Sequence, residues 1–307
     1  MRALVTGGAG FIGSHLVRRL AAEGHSVTVV DDLSTGRREN LDGCAVELIK
    51  RDLAHDPLDD LVRDLDTIFH LAAVPSVPRS VSEPLRSHQA AATATLRLLD
   101  AARSAGVRTF VNSSSSSVYG NVARPPMTET MPTLPRSPYA VAKLAAEGYT
   151  RVFAALHGMR TVSLRYFNVF GPRQDPTSAY AAAIPRFISA YQRREPPKVY
   201  DDGRQSRDFT HVANVVEANV LASAARELHG EPVNVAAGEP RSVLDLLHAI
   251  SDTFGYWLEP EFLPARPGDI RDSHADISLA RKLLGYAPVT GFREGLAETI
   301  AWLRNEA

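Results

Sequence analysis

The chain has 307 residues, 44% of them hydrophobic, enough to bury a large core as one α/β domain or two fused lobes. Its 34 Lys and Arg nearly balance 35 Asp and Glu, which excludes a broad electrostatic surface for nucleic acid or an anionic membrane; any anionic ligand must be held locally. The single cysteine, Cys44, excludes an internal disulfide and a multi-cysteine metal centre and reads as a small, partly buried apolar residue.

No basic leader, long apolar span or anchor pattern is present, so a soluble, cytoplasmic protein without a metal site is expected. The opening stretch 3–13 is an apolar run that ends in a glycine-rich turn and passes into a helical pattern at Phe11, Leu16, Val17 and Leu20. Gly7, Gly10 and Gly13 are spaced to let the backbone approach a pyrophosphate, and the helix N-terminus at Phe11, Ile12 and Gly13 supplies amide hydrogens and positive dipole charge. A second apolar run, 26–30, ends in Asp31-Asp32, where a dinucleotide-binding unit carries its ribose-binding acid.

A third strand over 46–50 leads to Asp52-Leu53, where the carboxylate either meets an adenine or caps a following helix. The fourth strand, from 67, runs into Leu71-Ala72-Ala73, whose small side chains let a cofactor ribose approach; His70 within it reads as a core histidine. A helix over about 85–105 precedes a strand at 109–111, which delivers five consecutive serines, 113–117. Such a run suits a flexible segment, but its place at the carboxyl end of a buried parallel strand points to a ligand-binding edge. A proline-bearing loop then opens a helix, to about 156, on which Tyr139 and Lys143 share one face.

A strand over 161–166 completes the alternation. Beyond Asn168, Pro and Gly break the chain into shorter elements, with helical patterns at 212–228, 243–254 and 291–303. The expected fold is α/β: a Rossmann-type doubly wound parallel sheet over 1–165 that binds NAD, and a smaller C-terminal substrate-binding lobe over 166–307, part of which returns to the sheet.

A tyrosine with its ordinary pKa of about 10 needs a neighbouring cation to act as a base near neutrality, and Lys143 is spaced to supply one. A hydroxyl from the Ser115 region can bond the same substrate oxygen, giving an acid/base centre for an alcohol whose carbon exchanges hydride with a nicotinamide. Taken together, the glycine-rich start, the serine cluster and Tyr139-x-x-x-Lys143 resemble the extended short-chain dehydrogenase/reductase family and, within it, the nucleotide-sugar 4-epimerases of the UDP-galactose 4-epimerase type.

The resemblance runs essentially end to end. It implies Tyr139 as catalytic base, Lys143 as holder of the nicotinamide ribose and Ser115 as catalytic hydroxyl, with Gly7, Gly10, Gly13, Asp31 and Asp52 at cofactor positions and Tyr166 beside them. Leu164 through Gln174 looks like the segment in which an asparagine, here Asn168, contacts a nucleotide-sugar diphosphate. Arg207-Asp208-Phe209 and Arg266-Pro267-Gly268-Asp269 resemble the family's diphosphate arginines and uridine-ribose acid, and a diphosphate does need fixed cations. Arginines of this kind can also be surface salt bridges. Tyr200, Ser116, Ser117 and Arg186 join the expected substrate wall, and Ser273 falls where the family gates room around the sugar.

Some positions depart from the family pattern. Ala91-Ala92-Thr93-Ala94-Thr95 stands for the usual Asn-x-x-Gly-Thr, Val212-Ala213-Asn214 for Val-x-Asp, and Pro75 for a lysine found in some epimerases. Ser116 and Ser117 replace the Asp-Glu pair of the 4,6-dehydratases, and Ser117 replaces the glutamate common in uronate decarboxylases, so the resemblance favours C4 epimerisation over both. Asp31 favours NAD over NADP, with Arg37 and Arg38 as the opening for NADP. A simple alcohol dehydrogenase and a non-catalytic binding protein are the alternatives outside this class. UDP-glucose, UDP-N-acetylhexosamine and UDP-uronate substrates all stay open. Family members also imply a homodimer through the helices near 90–105 and 139–156.

Overall fold

Two glycines set the first turn of the fold. In the computed structural model, which describes residues 1–121, 124–175, 183–265 and 271–305, strand β1 (Arg2–Thr6) stops at Gly7, whose φ of 66° is left-handed. A Cβ there would stand 2.7 Å from the Ala72 nitrogen, and one on Gly13 would stand 2.1 Å from the Gly7 oxygen. Only glycine at both positions lets the chain reverse and start α1 (Phe11–Ala22) against the sheet.

The first half continues through β2 (Ser26–Asp31), β3 (Glu47–Lys50), β4 (Thr67–His70), α2 (Val77–Ser82), α3 (Pro84–His88), α4 (Ala94–Ser104), β5 (Thr109–Ser115), α5 (Pro138–His157) and β6 (Arg160–Tyr166). Shorter pieces follow: β7 (Val169–Phe170), α6 (Ala183–Arg193), β8 (Lys198–Tyr200), β9 (Ser206–Asp208), β10 (Thr210–His211), α7 (Val212–Ala224) and β11 (Glu231–Val235). The chain closes with β12 (Pro240–Ser242), α8 (Val243–Phe254), β13 (Glu261–Leu263), β14 (Asp272–Ser273), α9 (Ser278–Leu284) and α10 (Phe292–Asn305).

Among the described residues seven strands form one sheet in the order β11-β6-β5-β4-β1-β2-β3, with every pairing parallel. This is the Rossmann-type doubly wound sheet expected from the alternation of patterns, and its switch point between β1 and β4 opens a crevice at the strands' carboxyl ends. One apolar cluster joins Leu16, Val17 and Leu20 to Val29, Phe69, Val111 and Leu164; another joins Leu4, Ile68 and Phe110 to Leu98, Leu99 and Phe153. A third, in the second half, gathers Phe170, Phe187, Ile188, Tyr191, Leu246 and Ile300. No described helix is long and apolar enough to cross a membrane.

Three boundaries differ from the sequence pattern. The strand at 109–111 runs on to Ser115 because Asn112 through Ser115 stay in register with Ser163 through Tyr166, and their polar side chains find partners inside the fold. The helix over 85–105 is interrupted by a π turn at Gln89–Thr93, whose Ala91 and Ala92 pack against Ala142 of α5. The helix expected through 228 ends at Ala224, since Ala225 turns extended (φ −66°, ψ 134°) and leads the chain back to pair β11 with β6.

Candidate active site

The serine hydroxyl of Ser137 caps α5, accepting from the Ala140 amide at 3.2 Å, and Pro138 fills the first helical position. Tyr139 therefore lies in the first turn and Lys143 in the second, both facing the end of β5. Burial pushes the Tyr139 phenol up, and the neighbouring Ser115 hydroxyl opposes that push. Lys143 is 4% exposed, and its Nζ donates to the Ser113 carbonyl at 2.7 Å and the Ser113 hydroxyl at 3.2 Å. A buried ammonium needs such acceptors. Burial pushes its pKa down to about 8, with the Glu147 carboxylate opposing. Ser117 donates through both its hydroxyl (2.9 Å) and its amide (3.2 Å) to the Ser115 oxygen.

These groups line a cleft of about 1650 Å³ along the carboxyl edge of the sheet. Every residue assigned from the sequence to the cofactor lies on its wall, as do Ser115, Ser116, Ser117, Asn168, Arg207 and Ser273. At the glycine-rich end, a Cβ on Gly10 would approach only the Gly7 oxygen, at 3.1 Å, and the first turn of α1 carries no acidic residue. No side chain caps the start of α1, which leaves its first amides available to a pyrophosphate. Burial holds the Asp31 carboxyl above the usual carboxylate range; it accepts from the amides of Ala9 (3.0 Å) and Leu33 (2.8 Å), which oppose that push and tie β2 to the glycine turn. Asp52 lines the cleft and also holds its own turn, accepting from the Ala54 amide at 2.8 Å and pairing with His55 at 2.9 Å; no helix follows it. His70 is a core residue, its ring nitrogens 2.8 Å from the Thr6 hydroxyl and 3.0 Å from the Thr95 hydroxyl.

On the opposite wall Asn168 holds a left-handed φ of 34°, and its amide nitrogen donates to the Asp208 carbonyl at 3.4 Å. Non-glycine residues in that conformation are retained where the surroundings enforce it. The buried Asp208 carboxylate accepts from the amides of Ala237, Gly238 and Ala275, so it clamps β9 to the chain after β11 and β14. Its neighbour Arg207 donates to the Ser206 and Arg271 carbonyls at 2.8 and 3.0 Å.

Two expected substrate residues are not on this wall. α6 turns Ile184, Phe187, Ile188 and Tyr191 into the third core, which leaves Arg186 exposed and outside the cleft. Tyr200 ends β8, paired with β13, and is not among the described lining residues. Arg266 and Asp269 lie outside the described residues. The sequence reading also passed over Arg173, Gln174 and Asp175 as lining residues, and over the ion pair of Asp175 with Arg37 at 3.7 Å. A polar loop directly after Asp31 was the available signal for Arg37.

Residues 3–236 match the family described as the NAD dependent epimerase/dehydratase family. The chain belongs to that family. NAD is its dinucleotide, and the glycine-rich end of the cleft has the open backbone to hold it. The chain is 41% identical over 314 residues to a UDP-glucose 4-epimerase of Mycolicibacterium smegmatis, with all of both chains covered. Among solved structures it matches a UDP-N-acetylglucosamine 4-epimerase from Methanobrevibacter ruminantium, in complex with UDP-N-acetylmuramic acid, at TM-score 0.96 and 42% identity over 100% of this chain and 99% of that one. It also matches a UDP-glucuronic acid 4-epimerase from Bacillus cereus, in complex with UDP-glucuronic acid and NAD, at TM-score 0.92 and 31% identity over 100% of each. The family's epimerase branch thus shares the whole architecture, lobe and sheet together.

Proposed function

We propose that this NAD-dependent UDP-sugar 4-epimerase inverts C4 of its substrate through a transient 4-keto sugar, with residues 1–165 holding the cofactor and 166–307 the nucleotide sugar. The observation that carries the reading is the convergence of Ser115, Tyr139 and Lys143 on one wall of the cleft, with the Lys143 ammonium fixed on Ser113. Tyr139 as phenolate takes the proton from the sugar's O4 and later returns it, while Ser115 holds the same oxygen. NAD, when bound, supplies the acceptor and then the donor of the C4 hydride. Lys143 keeps positive charge at the site, which favours the phenolate. Arg207 and Asn168 hold the diphosphate, so the sugar can turn over without the nucleotide leaving.

Elimination of water across C5 and C6 would need a further acid and base near Ser115. Among the described residues the carboxylates on the cleft wall are Asp31, Asp32, Glu39, Asp52 and Asp175, all in or after β2, β3 and β7 and none beside Ser115. That favours epimerisation over dehydration. Ser273 is small and nearly buried on the wall, which suits a pocket permissive at C2 and C6; similarity to epimerases named for all three UDP-sugar series agrees with it. The test is incubation with UDP-glucose, UDP-N-acetylglucosamine and UDP-glucuronate without added cofactor. A mixture of C4 epimers from at least one is expected, and retention of configuration in all three would overturn the reading.

The working form is a cytoplasmic homodimer. On α5, Val141, Ala145, Gly148, Val152 and Leu156 repeat at helical spacing, and Val141, Val152 and Leu156 are exposed, as are Val81 and Leu85 on the adjoining α2 and α3. Light scattering should give twice the mass of 33.3 kDa; a monomer mass would remove the proposal.

A further inference from the structure

A buried polar cluster lies one helical turn behind the site. Glu147 follows Lys143 by four positions on α5, and Arg165 of β6 meets its carboxylate with a two-bonded fork: Nε to Oε1 at 2.9 Å and Nη2 to Oε2 at 2.7 Å. The Ser114 hydroxyl donates to the same Oε1 at 2.5 Å. The side chains of Arg165 and Glu147 are only 4% and 7% exposed, and the guanidinium carbon stacks 4.7 Å from the centre of the Tyr119 ring. Register sets Ser114 directly beside Arg165 across the β5–β6 pair.

Burying two charges is expensive, and apolar side chains of the same volume would often hold a core as well. What the ion pair does that apolar packing cannot is fix relative position. Its three bonding groups come from β5, α5 and β6, the elements that deliver Ser115, Tyr139 with Lys143, and Tyr166. Ser114 is flanked by Ser113, which holds the Lys143 ammonium, and Ser115, which lines the cleft with Tyr139. Sliding α5 against β5 would break the Glu147 bonds before it disturbed the apolar contacts. We infer that Glu147 and Arg165 are positioning residues for the reaction, locking the end of β5 to α5 so that Ser115, Tyr139 and Lys143 stay in reacting register. This rests on the proposed roles of those three residues.

The experiment compares E147Q, R165M, the double variant, S114A and Y139F, all with their NAD content measured. If the pair positions the site, E147Q loses about ten- to a hundredfold in kcat with little change in KM, the usual penalty of a small misplacement. The double variant, with no uncompensated buried charge, recovers the thermal stability lost by either single variant but keeps the low kcat. S114A removes one hydroxyl bond alone and covers the case in which E147Q does not fold; its kcat should fall severalfold, with a smaller loss of melting temperature than either charge-removing single variant shows. Recovery of kcat together with stability in the double variant, or a wild-type kcat in S114A, would overturn the inference. Undiminished activity in Y139F would instead sink the catalytic reading itself, and so the two failures are distinguishable.

Discussion

The two walls of the cleft are built in opposite ways. The β5–α5–β6 wall sets its reactive groups on long elements, with Lys143, Glu147 and Arg165 buried and every one of Ser113, Ser114 and Ser115 bonded. The facing wall hangs Arg207 and Ser273 on three- and two-residue strands, with the left-handed Asn168 at the corner between β6 and β7. On the proposed roles, the proton moves on long, packed elements and the sugar is recognised by short ones, a division that would let one chemistry be fitted to different sugars. The structural relatives, named for different UDP-sugars on one architecture, fit that division.

The sharpest way to break the comparison is Tyr139→Phe, expected to lower turnover by about 10²–10⁴-fold, the worth of a positioned acid/base, while NAD content is kept; turnover assayed with bound cofactor quantified checks both halves. On the other wall Arg207→Ala should raise KM for the UDP-sugar by about ten- to a hundredfold with kcat much less affected, as loss of a hydrogen bond to a charged group implies. An equal fall in kcat would place Arg207 with the first wall. Ser273→Tyr should leave UDP-glucose nearly as good and slow N-acetylated or uronate substrates about tenfold, within the range one pocket group supplies. Parallel loss on all three would show that the wall is not adjustable there.

The smallest effect concerns stability. Burial pushes His70 down to about 3 and His15 and His211 down to about 4, from an ordinary 6.5. The unfolded chain therefore binds more protons between those values, and stability falls as pH drops from about 6.5 toward 4. Calorimetry across that range should show a falling melting temperature; a flat one would mean that these rings are not desolvated.

Local features of the sequence carried far into the fold. Glycine spacing marked the turn that packs on Ala72, Asp31 marked the end of β2, and Tyr139 and Lys143 four apart marked one helical face pointing at the serine strand. What could not be read were the long-range pairings. Glu147 with Arg165 joins residues on separate elements, and although its spacing from Lys143 was visible, its partner was not. Arg186 looked like a cation for the pocket, yet the direction of α6's apolar face decides where it points, and only the packed third core sets that. The serine run sits deeper in the sheet than the apolar pattern of 109–111 suggests, because register with β6 carries the strand on to Ser115.

The return of β11 to the sheet has a practical consequence for dissecting the molecule. Besides pairing with β6, it presents Asn234, whose side chain accepts the Tyr119 hydroxyl at 2.7 Å and whose amide donates to Glu129 at 2.8 Å. A gene cut after residue 165 would expose β6 as a naked edge and strip the segment around 119–129 of its anchor. The cofactor-binding half is not a severable module, and a soluble fragment should have to carry the chain through 235, skipping nothing between.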